Sequence, residues 1–304
     1  MWPFEASMQS VWLALYLATF ALHAVFVSTV AIGTGYALIR RDALADKLRD
    51  WLPFLLGAGI TAGVAPLLFL QLLYQRRFYT ANLLMGPRWG AVVPALIVGF
   101  YALYLAKASV KWRRPALAVG LACFLFVAWS WTEIHTLMLA EPAWRAMYAA
   151  GDRIYADAGI APRLGMWLGA MAALFALVAA YLEPARRVAV IALAGLVIAT
   201  ACALVIGWDA AHGWSYILVG AVAVAAGGWG MLAATGRGLP VATGGTAAAL
   251  VAGAIVREAP RLAFLEPVRP EAVGAGGLPV FAITLAVGVA AIAWIVRTVR
   301  SADR

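Results

Sequence analysis

Three histidines are the residues in this chain whose chemistry most needs a reason, because two of them fall inside long apolar runs. His23 stands in LHAVFVSTVAIGTGYALI, an uninterrupted apolar helix pattern. An imidazole in hydrocarbon costs free energy unless it is hydrogen-bonded or coordinated, so an intramembrane histidine marks a candidate functional site. The plainer alternative is a hydrogen bond to a helix carbonyl or hydroxyl, with Thr19, Ser28 and Thr29 close by on the same segment. His135 lies in WSWTEIHTLML, two residues after Glu133. On a helix residues two apart diverge, so this histidine and this carboxylate are not a pair. His212 follows Asp209 by three, a spacing that allows a facing pair on one helical turn and reads more simply as a solvated surface pair.

A second group of polar residues closes the second apolar stretch. Gln71, Tyr74, Gln75, Arg76, Arg77, Tyr79 and Asn82 follow GAGITAGVAP, in which Gly59 and Gly63 permit a neighbouring helix to approach closely and Pro66 removes a backbone donor. Paired arginines suit a carboxylate or phosphate, so Gln71, Arg76 and Arg77 are candidates for a lipid headgroup, a quinone or a haem propionate. The alternative is a pair of side chains snorkelling to lipid phosphates.

The elements that position these residues are membrane helices. With 65% hydrophobic and 12% charged residues and a mean hydropathy of +0.89, the chain is excluded from the water-soluble class. Cys123 and Cys202 each sit in an apolar run and read as small hydrophobes, and there is no CxxCH for a covalent c-type haem. The net charge of +9 belongs to helix ends and anionic lipid and does not point to nucleic acid. The N-terminal segment lacks the basic region and cleavage site of a signal peptide.

Nine apolar stretches approach the roughly 20 residues that a span needs. They cover 8–39, 51–74, 90–106, 115–139, 164–182, 188–208, 214–234, 240–256 and 279–296, and predict one all-α transmembrane bundle over 1–304. Fourteen of the 23 basic residues fall in the connections after the odd-numbered stretches and the C-terminal tail. That bias places the N-terminus outside and the C-terminus inside. The two sizeable connections, 140–163 and 257–278, are then external. Counting back ~30 Å from Arg40 puts His23 in the outer quarter of the bilayer, where His135 can share its layer.

LHAVFVSTVAIG resembles the first helix of cytochrome bd quinol oxidase subunit I, where a histidine supplies a haem ligand near the outer face. GITAGVAPLLFLQ is more distantly similar to the helix that follows in that family. APLLFLQLLY, FYTANLLM and TLMLAEPAW also resemble bacterial membrane proteins associated with multihaem cytochrome c systems. The similarity covers the first half of the chain. It implies a haem b or a quinone near the outer face, His23 as an axial ligand and His135 as the most plausible second one. It also implies the bacterial inner membrane, other complex subunits, and a c-type cytochrome partner facing Arg76, Arg77, Arg145 and Arg153. Two departures argue against a complete oxidase: 90–106 has no acidic residue, and the family's long loop between helices 6 and 7 shrinks to 209–213. The competing reading is a cofactor-free structural subunit or small transporter. Against transport stand the lack of internal repeats and of paired interrupted helices.

Overall fold

A computed structural model describes residues 5–207 and 213–265, with Ile283 and Ala286. Apart from Ile283 and Ala286, the ninth apolar stretch lies outside the described residues, as do Asp209 and His212. Among those described, regular structure is entirely helical: α1 Glu5–Ile39, α2 Ala43–Leu73, α3 Gln75–Leu84, α4 Gly86–Ala108, α5 Arg113–Leu139, α6 Glu141–Ala150, α7 Ile160–Leu182, α8 Arg186–Ile206, α9 Gly213–Thr235 and α10 Leu239–Glu258, followed by a 3-10 segment Ala259–Phe264. Eight of these helices are long and apolar enough to cross a membrane, so the chain is a multi-pass membrane protein in contact with lipid.

Two features depart from the sequence expectation. The second span begins at Ala43, well before residue 51, because the Asp42 side chain accepts from the Ala45 amide at 2.9 Å and caps α2 immediately after α1 ends. The expected connection 140–163 also contains α6, a short helix too polar to register as a span.

The eight spans pair as hairpins α1–α2, α4–α5, α7–α8 and α9–α10, each sealed by glycine. A Cβ on Gly99 of α4 would fall 2.6 Å from the Phe124 ring of α5. One on Gly169 of α7 would fall 2.5 Å from the Gly195 carbonyl oxygen of α8. One on Gly228 of α9 would meet the Ala242 Cα of α10 at 2.7 Å. Lipid supplies no hydrophobic drive between helices, so such close backbone contact is what holds them together. α1 is the hub, touching α2, α5, α7 and α10. It is 35 residues long, about 52 Å at 1.5 Å per residue, so it must tilt or project beyond the hydrocarbon.

The two ends of the bundle differ. At one end the α1–α2 turn is tied to α8: Tyr36 donates to Asp42 at 2.8 Å, and Arg187 donates to the Tyr36 hydroxyl at 3.0 Å. At the other end α3 and α6 pack on each other and on the ends of α2 and α5. The polar residues of interest gather at this second end.

Candidate functional site

His23 points from α1 onto α2. Its Nδ1 lies 2.9 Å from the Gly59 carbonyl oxygen, and a Cβ on Gly63 would sit 2.7 Å from its Cε1, so the Gly59 and Gly63 pair cradles an imidazole. A carbonyl only accepts, hence Nδ1 carries the proton and Nε2 keeps its lone pair.

His135 has the opposite arrangement. Arg257 Nη2 lies 2.9 Å from its Nδ1. A guanidinium only donates, so here Nδ1 is the acceptor and Nε2 bears the hydrogen. That Nε2 is buried with no hydrogen-bond partner among the described residues. Trp131 packs edge-on against the ring, 5.2 Å between centroids.

Around His135 stands a buried polar cluster built from four elements. Arg257 also donates to the Tyr16 hydroxyl of α1 at 3.0 Å, and its guanidinium rests over the rings of Phe20 and Trp167 at 4.5 and 5.3 Å. Glu258 faces Arg261 at 3.3 Å and Arg257 at 3.7 Å through Oε2. Tyr74, the residue that closes α2, turns its buried hydroxyl towards the Glu258 carboxylate. Burial and the neighbouring Glu258 carboxylate push its phenol far above the ordinary range, which keeps it a hydrogen donor. Side-chain exposure is 9% for Arg257, 2% for Glu258 and 6% for Arg261, so two guanidinium charges face one carboxylate out of water. Buried excess charge beside a buried polar atom without a partner among the described residues marks a candidate functional site.

The other expected site residues are placed differently. Arg76 and Arg77 each reach a carboxylate oxygen of Glu141 on α6 at 2.7 Å, and Arg77 also donates to the Met138 carbonyl at 3.0 Å. The Arg77 guanidinium lies 3.8 Å over the Phe264 ring. This pair therefore latches α3 to α6 through the chain's own acid. Gln71 is half-buried in the last turn of α2, with no hydrogen-bond partner among the described residues. Glu133 turns away from His135: its Oε1 accepts from the Tyr155 amide at 2.9 Å and its Oε2 faces Arg88 at 3.2 Å.

Sequence reasoning placed Tyr74 in a polar group with Gln71, Arg76 and Arg77, treated Arg257 and Arg261 as charges of an outer connection, and missed Tyr16 and Glu258 as members of a site. The signal was the spacing of Arg257 and Arg261, four apart on one helical face beside an acid. Whether this arrangement fits a haem depends on lone pairs. Axial ligation needs one from each ring: His23 has a free Nε2, whereas His135 would have to surrender the Arg257 contact. Among the described residues no three His, Cys, Asp or Glu side chains gather as a metal site. No protein-family model matches the chain, and no curated protein matches it.

Proposed function

We propose that this chain is a membrane subunit of an electron-transfer complex and that the cluster around His135 receives the head group of a quinone. The observation that carries the reading is the buried Nε2–H of His135, without a partner among the described residues, beside Arg257, Arg261 and the two tyrosines. Neutral and charged N–H and O–H donors gathered among the rings of Phe20, Trp131 and Trp167 are of the kind that bond the two carbonyl oxygens of a quinone ring. When bound, the quinone supplies electron transfer coupled to proton transfer. The chain's part is to hold the oxygens with His135 and Arg257, and to offer the Glu258 carboxylate, faced by Arg257, Arg261 and the Tyr74 hydroxyl, as a nearby proton acceptor.

A haem b on His23 is the second reading, supported by the Nδ1–H bond to Gly59, which orients the ring and leaves Nε2 free. In this reading the second axial ligand comes from another subunit. The basic-residue bias supports placing the site at the outer face of a bacterial inner membrane, with the N-terminus outside. With no c-haem motif in the chain, a c-type cytochrome partner at that face completes the electron path.

The test is extraction and quantification of quinone from protein purified in mild detergent. A stoichiometric quinone in the wild type, lost in His135→Ala while the fold is retained, supports the reading. Equal quinone in both, or none in the wild type, overturns it.

A further inference from the structure

The turn between α4 and α5 stands at the end of the bundle away from the His135 cluster and reads KASVKWRR over 107–114. Lys107, Lys111, Arg113 and Arg114 put four cations into eight residues with no acid among them. Elsewhere at this end the chain supplies its own counter-charge: Arg40 and Arg187 face Asp42 at 3.5 and 3.6 Å, and Arg49 faces Asp50 at 3.6 Å. None of the four cations of the turn makes an ion pair among the described residues.

The local geometry gathers these charges. Between the end of α4 at Ala108 and the start of α5 at Arg113, the Trp112 amide donates to the Ser109 hydroxyl at 3.3 Å and closes the turn. The Lys107 ammonium donates to the Asp50 carbonyl of α2 at 3.2 Å, and the Lys111 ammonium stands 5.7 Å over the Trp112 ring. Arg113 Nε is buried without a hydrogen-bond partner among the described residues. The first turn of α5 has no acid and no side-chain cap, so the positive end of its dipole adds to two arginines. Like charges held this close repel, and the turn contains nothing to offset them. Both flanking helices are membrane spans, which puts the turn at the level of lipid headgroups. Trp112 and Trp51, the neighbour of Asp50, are exposed there, where indoles favour the membrane interface. At that level the available counter-charge is a lipid phosphate.

We propose that the α4–α5 turn is a binding site for an anionic phospholipid, whose phosphate is held by Lys107, Lys111, Arg113 and Arg114 between the exposed Trp51 and Trp112. A zwitterionic lipid carries the same phosphate with a cation attached, which four positive side chains repel. An anionic lipid such as phosphatidylglycerol lacks that cation, so net headgroup charge sets the preference. Attraction to the basic end as a whole would follow total charge, whereas a site follows these residues.

The experiment is native mass spectrometry of delipidated full-length protein titrated with phosphatidylglycerol and phosphatidylcholine of identical acyl chains. A basic residue at an anionic lipid surface contributes about fivefold in affinity. The expected result is phosphatidylglycerol held at least about twentyfold more tightly than phosphatidylcholine, the equivalent of two such residues. The triple variant Lys111→Gln, Arg113→Gln, Arg114→Gln should bring that preference to about fivefold or below, which Lys107 alone can supply. A control variant, Arg41→Gln, Arg186→Gln, Arg237→Gln, removes the same charge from three exposed positions at the same end and should keep the preference. Lys111→Gln and Arg114→Gln made singly, each at an exposed side chain, should lower it about fivefold even if the triple variant does not fold. Equal retention of the two lipids by the wild type, an equal fall in the two triple variants, or no change in either single variant would overturn the proposal.

Discussion

Replacing Gly245 by alanine should separate α9 from α10, and the neighbouring Gly244 supplies its own control. A Cβ at Gly245 would lie 2.6 Å from the Ala225 Cα and 2.9 Å from the Val224 carbonyl carbon, all backbone that no rotamer change can move. Carbon atoms settle at about 3.5–4.0 Å, so the two helices must part by about 1 Å along this seam. Parting them loosens the packing of Ala221, Ala225 and Ala242 and stretches the buried hydrogen bond from the Trp229 indole to the Thr246 hydroxyl, 3.1 Å in length. Overpacking of this kind costs about 2 kcal/mol, roughly a 30-fold loss in the folding equilibrium. A Cβ at Gly244 meets nothing within 4 Å. Gly244→Ala should therefore be neutral, or gain up to ~1 kcal/mol from better helix propensity. The assay is reversible unfolding in mixed micelles with increasing SDS, followed by circular dichroism. Equal midpoints for the two variants would refute the assignment of Gly245 to the internal seam and of Gly244 to the outer surface.

Other outcomes follow from the same geometry. Arg77→Gln should destabilise the bundle by about 2–3 kcal/mol, because a 10% exposed guanidinium loses Glu141, Met138 and Phe264. Arg76→Gln, at 63% exposure, should cost less than about 1 kcal/mol in the same SDS unfolding assay. Gly63→Ala must push the His23 ring off Gly59, so any haem signal that depends on His23 should shift in a reduced-minus-oxidised spectrum; an unchanged spectrum would place the haem elsewhere. Asp42 supplies an acid limb to stability. Burial raises its carboxyl, but the Ala45 amide, the Tyr36 hydroxyl and the Arg187 and Arg40 guanidinium groups outweigh this and hold it below its ordinary value. A depressed carboxyl contributes stability above the unfolded value and loses it as the pH falls through the folded one, so unfolding midpoints should drop below about pH 4, and less steeply in Asp42→Asn.

The spans were legible because membrane helices announce themselves locally, through apolar length and basic ends. The Gly59 and Gly63 motif likewise promised a close helix contact, and the structure supplies the residue that uses it, His23. The cluster was not legible. Tyr16 and Arg257 are 241 residues apart, and His135 and Arg257 are 122 apart, so no local pattern joins them. The partner of Arg76 and Arg77 was hidden for the same reason: Glu141, more than sixty residues on, lies in a helix too short and polar to be read as an element. Glycine placement divides the same way. Gly228 and Gly245 face each other's helix, whereas Gly227, Gly230 and Gly244 face outward, a distinction that depends on helix rotation and not on composition.

The most direct test of the quinone reading is quenching of intrinsic tryptophan fluorescence by a short-chain quinone, since Trp131 and Trp167 flank His135 and Arg257. The account predicts saturable quenching in the wild type and at least about tenfold weaker binding in His135→Ala and in Arg257→Gln, each having lost one principal hydrogen bond to a quinone oxygen. Quenching that rises linearly without saturation, or that is identical in the wild type and both folded variants, would contradict it.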